Sequence, residues 1–320
     1  MTSDLDQDRR VGRFRCSELS MELGETQEGT ASTVTSWLLV EQPGPWGYHA
    51  TKSSRMPREV ARHLRRQTRA LGVRLVLIRR PRERREDGVR CFAANTAGAE
   101  RSLWSFSVPS IRALADVDVA EVMSDAPVPF GAHRDTKPLF LVCTNGRRDP
   151  CCAERGRPVF SALARVAGDR VWECSHIGGD RFAANVVWFP EGVYYGRVQP
   201  SDAERLVTAS AEGRLLLDLF RGRTDVPMVA QAAEAHVRRE LGLDSLDGVT
   251  RVATETSTNG EDEINVTMEL RRDARASVVI RVDRASLARF LTCRSGTTAS
   301  PPEYGPVRMS IDTPWRTAGG

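Results

Sequence analysis

The chain of 320 residues contains no apolar run long enough to form a membrane-spanning helix. Such a helix needs about 20 consecutive apolar residues. The first residues, MTSDLDQDRRVGRFRC, are polar and lack the apolar segment of a secretory signal peptide, so we expect no export by that route. With 40% apolar residues and a mean hydropathy of −0.37, the composition predicts a soluble globular protein with about two domains.

Lysine is also scarce, since Lys52 and Lys137 are the only basic residues besides the arginines. The net charge of +4 is small for this length and does not indicate a nucleic-acid partner. The Arg-rich stretch at residues 79–90 contains acidic residues as well, which favours a solvated loop. The number of cysteines, 7, is odd, and no secretion signal is present. We therefore predict a cytoplasmic protein, in which clustered cysteines bind metal or perform redox chemistry more often than they form structural disulfides.

Several cofactor and redox motifs are missing. The sequence has no G-x-G-x-x-G fingerprint and no Walker loop, so we expect no flavin or NAD(P)H site of its own. It also has no C-x-x-C motif, the arrangement by which thioredoxin folds lower the pKa of a cysteine. The missing C-x-x-C motif argues against a thiol–disulfide oxidoreductase. The missing flavin and NAD(P)H motifs imply that electrons come from a separate reductase.

Residues 13–126 are predicted to form an N-terminal α/β domain that contains a βαβ unit. The apolar run Trp37–Val40 predicts a strand, the helical period over residues 58–71 predicts a helix, and residues 73–78 predict a second strand. The remaining elements of this domain are predicted to be a strand and a helix, at residues 104–108 and 111–123.

A second domain is predicted at residues 137–215, after a linker at residues 127–132. It is predicted to begin with the buried strand LFLVC, and Ser201 and Glu204 are predicted to form the capping box of its last helix. The predicted order of elements, β-α-β-β-β-α, resembles a thioredoxin-like layout with the chemistry at the end of the first strand.

Residues 224–295 are predicted to form a small α+β accessory segment. A helix with one apolar stripe ends at Gly242, and two alternating strands follow it. The tail from Ser295 onwards is rich in Pro, Gly, Ser and Thr, so we expect it to be loose.

The strongest chemical signal is a group of cysteines and one histidine at the predicted strand ends of the second domain. Cys143 ends the first strand, and eight residues separate it from Cys152, so the intervening loop can bring both sulfurs to one metal. Cys174 and His176 lie two residues apart at the end of the next strand, which places both side chains on one face. Soft ligands in this arrangement indicate a metal or iron–sulfur site.

Two glycines and the three remaining cysteines have supporting or inert predicted roles. Gly178 and Gly179 follow the histidine, and glycine allows the backbone to approach a cofactor closely, so both are predicted to bind the cofactor. Cys16, Cys91 and Cys293 are isolated in the sequence and are predicted to be buried, inert thiols.

Three segments, WLLVEQPGPWG, CTNGRRDPCCAERG and WECSHIGGDRFAAN, together resemble the sucrase/ferredoxin-like family over roughly residues 14–215. The second domain of that family is a thioredoxin-like ferredoxin, so the resemblance implies a [2Fe–2S] protein that transfers single electrons. The implied fold class is α/β (α+β), with a thioredoxin-like ferredoxin domain between a βαβ-containing domain and a small α+β segment.

In the fungal branch of this family, a Cys-x8-Cys pair and a following His-x3-His pair hold the cluster. Cys143 and Cys152 match the cysteine pair, and His176 matches the first histidine. The position of the second histidine is Asp180 in this chain, and this departure leaves the fourth metal ligand open.

Three residues are candidates for the fourth ligand. We favour Cys174, because iron in such clusters prefers thiolate to carboxylate oxygen. Asp180 is the second candidate; if it is not a ligand, it is predicted to cap the following turn or to accept a hydrogen bond behind the ligands. Cys151 is the third.

The sequence therefore predicts an electron-transfer protein with one [2Fe–2S] cluster in mixed Cys/His ligation, a redox carrier rather than a self-sufficient enzyme. One alternative is a thiol–disulfide oxidoreductase that uses Cys143 with Cys151 or Cys152. The other is a structural zinc-binding interaction module. A redox protein partner, either a reductase or an acceptor, is expected, whereas a nucleic acid or a membrane is not.

Overall fold

The computed structural model describes residues 13–80, 88–98, 100–124, 130–256 and 262–312 of the chain. Most of the predicted Arg-rich loop and part of the predicted linker lie outside these residues. Within the described part of the chain, no helix is both long enough and apolar enough to cross a membrane.

The described residues form seven α-helices. They are α1 (Cys16–Glu22), α2 (Ala50–Ser53), α3 (Arg58–Ala70), α4 (Val119–Val122), α5 (Pro150–Ala167), α6 (Ala203–Ala211) and α7 (Met228–Leu241).

Fourteen described strands form two sheets. The ten strands of the first sheet are β1 (Ser36–Glu41), β2 (Arg74–Arg79), β3 (Val89–Asn95), β4 (Ser102–Val108), β5 (His133–Arg134), β6 (Leu139–Cys143), β7 (Val171–Cys174), β8 (Val186–Phe189), β9 (Val193–Tyr195) and β10 (Phe220–Arg223). Their spatial order is β10-β9-β8-β6-β7-β2-β1-β3-β4-β5. The second sheet has the order β11-β12-β13-β14, with β11 (Val249–Thr256), β12 (Glu263–Leu270), β13 (Arg275–Arg284) and β14 (Pro302–Asp312).

The predicted βαβ unit is present. Strands β1 and β2 are parallel and adjacent, with Trp37 opposite Arg74. Helix α3 connects them and buries Val60 and Leu64 completely against the sheet. The helical period therefore identified the packed face at Val60 and Leu64, whereas Leu71, the last residue of the predicted helix, is exposed and lies beyond its end.

The helix predicted at residues 111–123 is wrong. The structure has a 3-10 turn at Ala113–Asp116 and then the short helix α4. The two are separated because Val117 is extended and the Asp118 carboxylate accepts a hydrogen bond from the Ala120 amide, which starts a new helix. The spacing of apolar residues alone does not show that the Asp118 side chain takes up the Ala120 amide and interrupts the helix.

The second unit has the thioredoxin-like layout that the sequence predicts. The elements follow in the order β6, α5, β7, β8, β9 and α6. Strands β6 and β7 are parallel, β8 is antiparallel to β6, and β9 is antiparallel to β8. Helix α5 connects the two parallel strands, so the carboxyl ends of β6 and β7 lie side by side.

One sheet continues through the first and second units, because β2 pairs with β7 in antiparallel orientation and Ile78 lies opposite Cys174. An ion pair of 2.6 Å between Arg79 and Glu173 reinforces this junction. The units also share one hydrophobic core, in which Trp37 packs with strand residues of both. The cysteines at the ends of β6 and β7 are therefore enclosed by the whole protein.

The C-terminal segment packs α7 against the second sheet. Its core contains Val237, Val266, Met268 and Val278, all buried. The prediction that the tail after Ser295 is loose is wrong, because β14 lies there and pairs with β13 along its length. Prolines and glycines in the tail concealed this strand, which is at the edge of its sheet, where proline is tolerated.

A buried charge network attaches α7 to the first sheet. Glu234 is fully buried on α7 and lies 3.1 Å from Arg223 of β10 and 2.9 Å from Arg238. Burial alone would raise the pKa of Glu234, but the two guanidinium groups outweigh it and hold this pKa below its ordinary value. The carboxylate is therefore ionised within the core.

Candidate metal centre

Two of the predicted ligands meet because of the parallel pairing of β6 and β7. Cys143 and Cys174 end these strands and are register partners. Both side chains are almost completely buried. The two residues are more than 30 positions apart in the sequence. Helix α5 connects their strands, and the pairing of β6 with β7 brings the strand ends together.

The third sulfur comes from the first turn of α5. Asp149 is the N-cap of this helix and accepts a hydrogen bond of 3.0 Å from the Cys151 amide. Pro150 follows it in the first helical turn. The helix therefore begins just before Cys152. Gly156 allows the helix to lie against the end of β6, because a β-carbon there would come within 2.2 Å of the Cys143 carbonyl oxygen. This close approach directs the Cys152 thiol towards the other two sulfurs.

The three thiols form a hydrogen-bonded group. Hydrogen bonds from Cys152 and then Cys174 lower the pKa of Cys143 well below its ordinary value, although burial opposes this change. The same hydrogen bond raises the pKa of Cys152, with burial adding to it. Burial, followed by the interaction with Cys143, raises the pKa of Cys174. These hydrogen bonds favour the ionised form of Cys143, which lies near the N-terminal end of α5, where negative charge is stabilised.

His176 and Asp180 complete the group. The Asp180 carboxylate, 2% exposed, accepts a hydrogen bond of 3.2 Å from the Cys152 sulfur. The same oxygen lies 3.0 Å from His176 Nδ1, but the angle does not suit a hydrogen bond, and within the described residues this buried nitrogen has no hydrogen-bond partner. The structure thus brings together three sulfurs, an imidazole and a carboxylate.

Asp180 does not cap the turn that follows it. The 3-10 turn spans Asp180–Phe182, and Gly179 occupies the N-cap position with a left-handed backbone. The Asp180 side chain is directed at Cys152 and His176. Of the two supporting roles considered for it, the structure excludes the cap and shows a carboxylate that accepts a hydrogen bond from Cys152.

The two glycines after His176 have different surroundings. Both have positive φ angles, 97° at Gly178 and 76° at Gly179. A β-carbon at Gly179 would lie 2.3 Å from the Arg221 guanidinium, whereas a β-carbon at Gly178 would meet no atom within 4 Å. Gly179 therefore makes room for an arginine, and Gly178 borders a cavity of about 520 Å³ that Arg74 and Arg181 also line.

Arg221 is a site residue that no pattern in the sequence singles out. It is 1% exposed and donates hydrogen bonds to the Thr30 carbonyl at 2.6 Å and to Asn185 Oδ1 at 2.7 Å. Burial lowers the pKa of Arg221 to about 10, although Asp180 and Cys152 act in the opposite direction. At neutral pH it is a fixed buried cation beside the thiol group. It lies in β10, whose four residues are all buried.

Cys151 is directed away from this group. Its sulfur lies 3.8 Å from the Cys16 sulfur and 3.4 Å from the Cys293 sulfur. The sequence predicts both of these cysteines to be isolated. That expectation is wrong for Cys16 and Cys293, which form a second cluster with Asp149. It stands for Cys91, a completely buried thiol in the core between α3 and the sheet. Nothing local in the sequence indicated that residues so far apart would meet.

Comparison with known proteins gives one family match and several partial likenesses. Residues 27–222 match the family described as sucrase/ferredoxin-like. Two curated relatives are both named altered inheritance of mitochondria protein 32. The protein of Meyerozyma guilliermondii is 30% identical over 118 residues, which are 33% of this chain and 42% of that protein. The protein of Clavispora lusitaniae is 34% identical over 101 residues, 29% of this chain and 36% of that protein. Each match thus spans less than half of the relative.

Among solved structures, a thioredoxin-like [2Fe–2S] ferredoxin from Aquifex aeolicus is 20% identical, with a TM-score of 0.25, and the match covers 29% of this chain and 97% of that one. A cysteine-to-serine variant of the same ferredoxin is 24% identical, with a TM-score of 0.24 and coverage of 26% and 96%.

Proposed function

The chain belongs to the sucrase/ferredoxin-like family, and we propose that it is an electron-transfer protein that carries one [2Fe–2S] cluster. The proposed ligands are Cys143, Cys152, Cys174 and His176. The observation that carries the proposal is the meeting of three buried sulfurs with His176, whose buried Nδ1 makes no hydrogen bond within the described residues. When bound, the cluster supplies the capacity to accept and release one electron.

The donor set fits an iron–sulfur centre in its chemistry. Thiolate sulfur and imidazole nitrogen are the ligands that iron in such clusters takes, and all four groups are on rigid strand or helix ends or on the turn next to them. Binding replaces the protons that the three thiols share, so it releases protons. A neutral imidazole in place of a fourth thiolate makes the centre less negative and raises its reduction potential.

The protein supplies a counter-charge to this anionic centre. Arg221 is buried beside Asp180, and Arg74 donates a hydrogen bond of 3.2 Å to the His176 carbonyl oxygen. Two fixed cations near the centre stabilise its negative charge, and they favour the reduced form because reduction adds an electron.

We assign Asp180 as a positioning residue. Its carboxylate contacts both Cys152 and His176, which belong to different elements. It accepts from Cys152 only while that thiol keeps its proton, so its positioning role at the bound cluster is proposed to act on the ring of His176. A carboxylate behind a ligating histidine is a common means of orienting the ring.

The lowered pKa of Cys143 is also what a thiol–disulfide oxidoreductase needs. However, the Cys143 side chain is 1% exposed, so a substrate disulfide has no access to its sulfur in this conformation. Electron transfer does not require such contact. For this reason the buried thiolate supports the cluster rather than thiol exchange.

The proposal extends to a partner and a compartment. A protein that only carries electrons needs a reductase or an acceptor, and the ring of His176, whose side chain is 28% exposed, is the most accessible of the four ligands. Electrons are proposed to leave by this ring. All 7 cysteines are free, which suits the reducing cytoplasm.

The test is the content of iron, acid-labile sulfide and zinc in protein purified without oxygen, together with its visible and EPR spectra before and after reduction. About two irons and two sulfides per chain with an EPR signal only after reduction support the proposal. Colourless protein that binds no iron after reconstitution contradicts it. Protein that holds zinc at these residues, as shown by zinc loss in Cys143→Ser, supports a structural zinc module instead.

Matched variants identify the ligands. Cys143→Ser and Cys152→Ser should lose the cluster, whereas Cys91→Ser, the same exchange at a buried thiol outside the group, should retain it. Equal iron loss in all three variants would indicate a general effect on folding, and circular dichroism on each variant detects that case.

A further inference from the structure

The second cluster unites four side chains from three distant parts of the chain. Cys16 begins α1, Asp149 and Cys151 lie at the start of α5, and Cys293 lies after β13. The three sulfurs are 3.4, 3.6 and 3.8 Å apart, and the Asp149 oxygens are 3.6 and 3.7 Å from the Cys16 sulfur. All four ligand atoms lie within 4.8 Å of one another.

From this geometry we propose that Cys16, Cys151, Cys293 and Asp149 bind one structural zinc ion. Tetrahedral coordination with zinc–sulfur bonds of about 2.3 Å places the sulfurs about 3.8 Å apart. The observed separations are close to that value, so zinc binding requires little movement of the side chains. Three thiolates and one carboxylate form a closed set of four ligands, as in structural rather than catalytic zinc sites.

The burial of Asp149 is an independent reason to place a cation here. The side chain is 0% exposed, and within the described residues no arginine, lysine or histidine forms an ion pair with it. Its oxygens accept hydrogen bonds from the amides of Cys151 at 3.0 Å and Cys293 at 2.7 Å, which supply no net charge. A buried carboxylate without a counter-ion is costly, and a metal ion removes that cost.

The same two hydrogen bonds explain how the site is held. Asp149 caps helix α5 and simultaneously fixes the loop that carries Cys293. Each accepting oxygen keeps a further lone pair for a metal. The amide of Cys16 donates to the Cys293 sulfur at 3.3 Å, which fixes α1 in the same way.

Zinc at this position would join three segments that otherwise meet in a small core. That core consists mainly of Phe14, Leu19, Ala183 and Phe290 around the cysteines. So few apolar side chains stabilise a contact weakly, whereas a metal that closes long loops stabilises it more. The zinc would thereby secure α1 and the C-terminal loop to the helix that carries Cys152.

The test is metal analysis of the full-length protein purified without oxygen in the presence of zinc. We expect one zinc ion per chain in addition to the iron. Cys16→Ser and Cys293→Ser should lose the zinc and keep the iron, whereas Cys143→Ser should lose the iron and keep the zinc. Cys91→Ser is the matched control and should keep both metals.

X-ray absorption at the zinc edge tests the wild-type protein directly, so it does not depend on the folding of a variant. Three sulfurs at about 2.3 Å and one oxygen at about 2.0–2.2 Å support the site. The absence of zinc after zinc addition overturns it, as does zinc that leaves with Cys143→Ser but stays in Cys16→Ser. Iron in place of zinc at these four residues, or a Cys151–Cys293 disulfide in the purified protein, also overturns it.

Discussion

Cys151 and Cys152 are consecutive residues in the first turn of α5, yet their sulfurs belong to two different clusters. Cys152 contacts Asp180 on one side, and Cys151 contacts Cys16 and Cys293 on the other. Successive side chains on a helix are about 100° apart, so one turn can serve two groups. A movement of this turn would therefore disturb both clusters together.

The first prediction concerns the fourth ligand of the proposed iron–sulfur centre. Cys174→Ser should lose most of the iron, because its thiolate is a proposed ligand. Asp180→Ala should keep at least about half of the iron, because Asp180 positions the ligands and is not one of them. Loss of such a partner weakens metal binding by roughly 10–100-fold and does not remove a bond to the metal. Iron analysis and EPR compare the two. The reverse order of iron content would make Asp180 the ligand.

The second prediction concerns the contact of α5 with β6. Gly156→Ala places a methyl group 2.2 Å from the Cys143 carbonyl oxygen, and this backbone atom cannot move freely. We expect a loss of about 1–3 kcal/mol in the free energy of unfolding and a lower iron content. Urea unfolding measures the first. Gly305→Ala, where the added carbon meets no atom within 4 Å, is the control and should unfold as the wild type does.

The third prediction concerns the buried cation. Arg221→Met removes the donors to Thr30 and Asn185 and should lower the free energy of unfolding by about 2–3 kcal/mol. It should also lower the reduction potential, because a positive charge near the centre is lost. Redox titration tests this, with Arg214→Met, an exposed arginine, as the control. An unchanged potential would show that Arg221 acts on stability alone.

The fourth prediction is a pH dependence of stability. The pKa of Glu234 is lower in the folded protein than its value of about 4.3 in an unfolded chain, so its ionised form stabilises the fold above that pH. This contribution is lost as the pH falls through the folded pKa. Glu234→Gln should therefore destabilise the protein by about 3–5 kcal/mol at pH 7, because it leaves two buried arginines without their partner.

Urea unfolding of this variant and the wild type between pH 8 and pH 3 tests the prediction. The difference between the two should be constant down to about pH 4.3 and decrease below it. Glu212→Gln, an exposed glutamate paired with Arg214, should change stability by less than about 1 kcal/mol throughout. A difference for Glu234→Gln that does not change below pH 4 would refute the ionised state of the buried carboxylate.

Local patterns predicted the βαβ unit and the thioredoxin-like order of the second unit. This was possible because the periods of strands and helices, and the residues that end helices, depend on residues close together in the sequence. The group around Cys143 was also predictable, since its members lie in one motif at successive strand ends. Arg221 was not, because it reaches the group from β10 through the tertiary fold, and its sequence context does not distinguish it from a surface arginine.

The second cluster, Cys16, Asp149, Cys151 and Cys293, could not be predicted from the sequence, because it also depends on the tertiary fold. Cys16 and Cys293 come from opposite ends of the chain, and each is surrounded by residues without metal-ligand spacing. Their meeting depends on the packing of α1 and of the loop after β13 against α5. Similarly, β14 acquires its strand conformation from hydrogen bonds to β13 and not from its own composition.

The pairing of β2 with β7 has a consequence for association with other chains. Strand β7 carries Cys174, and in the absence of β2 its backbone would form an open sheet edge to which a strand of another molecule can add. In this fold that edge is closed by a strand of the same chain. Aggregation through the strand that carries Cys174 is thereby suppressed, while His176 beyond its end stays partly exposed.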